Sequence, residues 1–106
     1  MADPISEIVE TMERTKAVKR ALKNSHCLTG AIAFALDNTV AFFLTMINHI
    51  KTKSPPEKLS ASYAEVAETF VGLDMNVPEI KQARDNMTRV YELCKCTQSA
   101  AAPGGD

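Results

Sequence analysis

The chain has no tryptophan, only six other aromatics and only four glycines. No Val/Ile/Thr-rich run alternates with polar residues, so a strand-built domain with glycine-rich turns is excluded. Charge of one sign is also missing. Twelve lysines and arginines meet thirteen acids, which leaves no global field for nucleic acid or an anionic membrane; nucleic acid is not an expected partner. Three cysteines are an odd number and cannot close a disulfide framework. Residues 1–25 mix acids and bases without an apolar run, so no cleavable secretory signal is read there, and the expected location is cytoplasmic with reduced thiols. No catalytic triad, glycine-rich phosphate loop or paired-carboxylate site is recognisable. No enzyme, cofactor or metal is expected.

What is present is helical periodicity. The expected fold class is all-α: an antiparallel up-down-up-down four-helix bundle with a short third helix, one domain over residues 1–97 and a flexible, disordered tail over 98–106. Asp3 can cap the first helix and Pro4 suits its first position. Ile5, Ile8, Val9 and Met12 recur at helical spacing, with acids early and bases late. "KNSHC", residues 23–27, reads as a turn, and a second helix as running from about Thr29 to Lys51. "TKSPPEK", residues 52–58, reads as a loop with neither proline helical. "SYAE", residues 62–65, has the Ser-x-x-Glu form of a capping box, which would start helix three there, with Tyr63, Val66, Ala67 and Phe70 as its stripe and Gly72 as its stop. Asp74 or Asn76 caps a fourth helix with Pro78 in its first turn and Ile80, Ala83, Met87, Val90, Tyr91 and Cys94 as its stripe.

The second helix carries the functional question. "GAIAFALDNTVAFFLTMINHI", residues 30–50, holds one formal charge, Asp37. On a wheel at about 100° per residue, Asp37, Asn38, Thr45, Asn48 and His49 share one side. A lipid-facing span has no use for such a stripe without other spans to cover it, so a membrane span is rejected. The apolar side covers roughly twice the 100° that a bundle helix needs. Phe43 lies mid-arc and is expected in the core. Phe42 and Met46 lie at its edge, and Phe34 is the one large apolar residue on the polar stripe. These three, Phe42, Met46 and Phe34, are the expected partner-binding residues of a non-enzymatic interaction module, with a homodimer or a small subunit of a larger assembly as its expected forms.

Two other readings stand beside it. Lys16, Lys19, Arg20 and Lys23 follow i, i+3, i+4, i+7 and form a basic face that could take phosphate from phosphoinositide, nucleotide or nucleic acid, although no aromatic is near them in sequence. His49, followed by Lys51 in "NHIKTKS", resembles the mid-helix histidine of histidine phosphotransfer domains, which are four-helix bundles; the resemblance implies an exposed, phosphorylatable His49, but the family's glycine is absent and Pro55 follows closely. Met12, Met46, Met75 and Met87 would make adaptable walls for a small apolar ligand. Cys94 and Cys96 project about 200° apart on a helix and cannot share a metal even with His49 near; Cys94 is expected buried and Cys96 exposed.

Overall fold

The structure is a computed structural model that describes residues 3–101, with side chains to Thr97. Four helices account for nearly all of it: α1 (Pro4–Asn24), α2 (Gly30–Thr52), α3 (Pro56–Glu68) and α4 (Pro78–Ala101). No strand occurs among the described residues.

Local chemistry sets the ends. Pro4 opens α1, while the Asp3 carboxylate accepts from Ser6 Oγ rather than from the backbone. Thr29 caps α2 by accepting from the Ile32 N–H at 3.2 Å. Lys53, left-handed at φ 54°, closes it. Residues α3 begins with differ from the sequence expectation. The helix starts at Pro56, six residues before Ser62, with extended Pro55 ahead of it. Proline costs nothing at a first helical position, where its missing N–H has no intrahelical acceptor. The Ser-x-x-Glu stretch therefore lies mid-helix. At the other end, Gly72 takes φ 88° in the turn after α3. The last helix continues to Ala101, past the boundary expected after residue 97; the rest of the expected tail, 102–106, lies outside the described residues.

Helix directions follow from reach and register. α1 is about 31 Å long, and the link 25–29 spans at most about 21 Å, so α2 must fold back beside α1. Ser60 bonds Tyr91 and Tyr63 bonds Thr88, each at 3.0 Å. Three residues forward on α3 answer to three back on α4, which makes that pair antiparallel. The bundle is flattened: α2 and α4 touch across the short diagonal while α1 and α3 meet only weakly, and the extents are 52 × 27 × 20 Å.

α2 and α4 each touch the three other helices, and α2 is the more apolar of the two. It is long and apolar enough to cross a membrane by length and composition, with a mean hydropathy of 1.6 in its most apolar window. A third of that window is buried against the other helices. Ile8, Leu36, Phe43, Leu59, Ile80, Met87 and Val90 centre the core, and the buried hydroxyls of Thr11, Thr15 and Thr39 bond back to carbonyls one turn earlier. Asn86 Nδ2 also donates to Thr15 Oγ1 at 3.3 Å, a polar tie between α4 and α1.

Candidate interaction surface

The expected partner residues separate. Phe42 and Met46 are 2% and 0% exposed, against the expectation that they edge an open surface. Packing of α3 over that flank of α2 explains this: the Phe42 ring centroid is 6.2 Å from that of Tyr63. Phe34 is 61% exposed. Leu44, one of the apolar residues between Gly30 and Ile50, is 55% exposed. The missed signal is its spacing. Leu44 follows Asp37 by seven residues, two turns, and so shares its outward face. Ala41 and Asn48 are exposed on the same face. That face carries one carboxylate, Asp37, which accepts from Lys19 Nζ at 2.7 Å.

The same ion pair fixes the register of α1 against α2. Lys16, Lys19 and Arg20 line an open cleft of about 300 Å³ with Thr15, Leu36, Asp37 and Val40. Three of the four expected basic residues thus border one concavity with an apolar floor. Lys16 also pairs with Glu13 at 3.3 Å, whereas Arg20 and Lys23 hold no ion pair among the described residues. Phe34 does not line that cleft; it lies about 120° around α2 from Val40, so the basic rim has no aromatic among its lining residues.

His49 does not stand as expected. It is 8% exposed, and neither ring nitrogen has a partner. Burial pushes its pKa below the ordinary value, and the nearby Lys58 ammonium lowers it further. The imidazole is therefore neutral near pH 7 and shielded, so the open, phosphate-accepting geometry implied for it is not present. The first turn of α3 brings Lys58 beside the end of α2. Buried Cys94 is pushed up to about 11 by desolvation, while Cys96 and Cys27 are exposed. No grouping of three or more His, Cys, Asp or Glu side chains suited to a metal occurs among the described residues. Met12, Met46 and Met87 are built into the core cluster.

A second cluster lies between α3 and α4. The Tyr63 and Tyr91 rings stack at 4.3 Å, and Lys95 Nζ sits 4.9 Å from the Tyr91 centroid. Both hydroxyls are bonded within the bundle, so this cluster ties α3 to α4.

Comparison with protein family models, with curated proteins and with solved structures finds no match.

Proposed function

We propose that this chain is a non-enzymatic helical interaction module that presents the outward face of α2 to another protein. The observation that carries the reading is the exposure of Phe34 and Leu44 at 61% and 55% on a face with a single, already paired carboxylate. The two side chains stand about 15 Å apart along α2, and a partner laid on this low-charge face would cover both, at roughly 25 cal/mol per Å² of apolar area removed from water. Phe34 is retained from the sequence reading, Leu44 is added, and Phe42 and Met46 serve the core instead.

The test is a selection of helical peptides displayed with randomised surface positions, using the full chain as bait. Wild type should retain binders that a Phe34→Ser/Leu44→Ser variant releases. That variant should melt within a few degrees of wild type, because exposed positions change stability by about 0.5 kcal/mol or less. Equal retention by both proteins contradicts the proposal. Sedimentation across a dilution series, run in parallel, shows whether a second copy takes the same face.

A further inference from the structure

We infer that the partner segment is an acidic amphipathic helix lying along the α1–α2 groove; this rests on the interaction reading above. The groove has two unlike halves. The Lys19–Asp37 pair sets the antiparallel register. Val9, ten residues before Lys19, is therefore level with Ile47, ten after Asp37. Exposed Val9 and Leu44, with half-buried Ile47, make one half apolar. Lys16, Lys19, Arg20 and Lys23 line the other half, level with residues of α2 from about Val40 back to Ala33. The cleft floored by Leu36 and Val40 joins the two.

Each part selects a property of the occupant. The cleft, at about 300 Å³, is at the small end of ligand sites and open, which suits a projecting side chain better than an enclosed metabolite. Val9 to Lys23 spans fourteen residues of rise, roughly 21 Å, or four turns of a docked helix with anchors at i, i+3/i+4 and i+7. Arg20 and Lys23, free of ion pairs among the described residues, present donors at one end of that track. Carboxylates on the flank of the docked helix would answer them and steer its approach. Asp37, although paired with Lys19, weighs against a lipid or nucleic-acid surface. Its side chain is 62% exposed midway along the groove, where a continuous array of phosphates would meet it, whereas a helix can set a small or basic residue opposite.

The same peptide selection tests this, with the enriched sequences as its readout. Retained peptides should carry an apolar stripe with an excess of Asp and Glu on one flank. Their affinity should fall about tenfold or more for Lys16→Glu/Arg20→Glu/Lys23→Glu, and fall with added salt. Phosphatidylserine vesicles should not bind wild type. Peptides that depend on Phe34 and Leu44 but show no acidic excess and ignore charge reversal overturn this inference and leave the interaction reading standing. Vesicle binding that charge reversal abolishes, with no peptide retained, overturns it in favour of a membrane surface. Peptides that do not distinguish wild type from Phe34→Ser/Leu44→Ser defeat both. Thermal melts of every variant confirm that a lost signal is not lost folding.

Discussion

Replacing Phe42 with alanine separates core from surface on α2. The ring is 2% exposed, and its centroid lies 6.1 Å from that of Phe43 and 6.2 Å from that of Tyr63. Truncation leaves a void bounded by α2 and α3 that a packed interior fills only in part. Buried Phe→Ala changes cost about 3–5 kcal/mol, a large share of the roughly 5–15 kcal/mol that holds a domain folded. At about 4–8 °C per kcal/mol for a domain near this size, the melting temperature should drop by roughly 15–30 °C. Phe34→Ala is the matched control, since its ring is 61% exposed. It should melt within a few degrees of wild type. Far-ultraviolet circular dichroism on heating measures both. A Phe42→Ala protein that melts beside wild type would refute the packing of α3 over this flank.

Other perturbations probe separate parts. The folded-state pKa of His49 lies below the ordinary 6.5, so the unfolded chain binds more protons between those two values. Its stability contribution is complete above about pH 6.5 and is lost as pH falls toward the depressed value. A His49→Met variant should show a flatter stability slope in that window, measured by urea unfolding, and an unchanged slope would show that other groups cause the acid loss. Native thiol labelling should be fast at Cys27 and Cys96 and slow at Cys94, whose thiol is buried and pushed up to about 11; rapid labelling of all three would mean α4 opens before Cys94. Lys16→Glu with Arg20→Glu should shift the unfolding free energy by about 1–2 kcal/mol at most, through lost dipole complementarity and the exposed Lys16–Glu13 pair, and a larger loss would mean that the basic face supports the fold.

Helical class, the start of α2 near Thr29, Pro4 and Pro78 at helix starts, and the apolar stripe of α4 were all legible, because helix-start chemistry and 3.6-residue spacing act locally. The start of α3 was not. A Ser-x-x-Glu run reads the same at a helix start and in mid-helix, and Pro56 reads as a loop residue unless it is known to be first. The burial of Phe42, Met46 and His49 was not legible either, since a neighbouring helix, not the wheel of α2, decides how wide its buried arc is. Leu44 was readable from its two-turn spacing to Asp37 but was masked by the apolar residues around it. The cleft beside Lys16 and Arg20 needed α1 and α2 to be brought together, which depends on the turn at 25–29.

The central claim is that the outward face of α2, with the α1 rim beside it, receives another helix. Amide chemical-shift mapping of the labelled chain, titrated with the tightest selected peptide, tests it most directly. Shifts should concentrate at Phe34, Asp37, Ala41 and Leu44 and along Lys16 to Lys23. Shifts concentrated instead around Tyr63 and Tyr91, with the face of Phe34 and Leu44 unmoved, would contradict it.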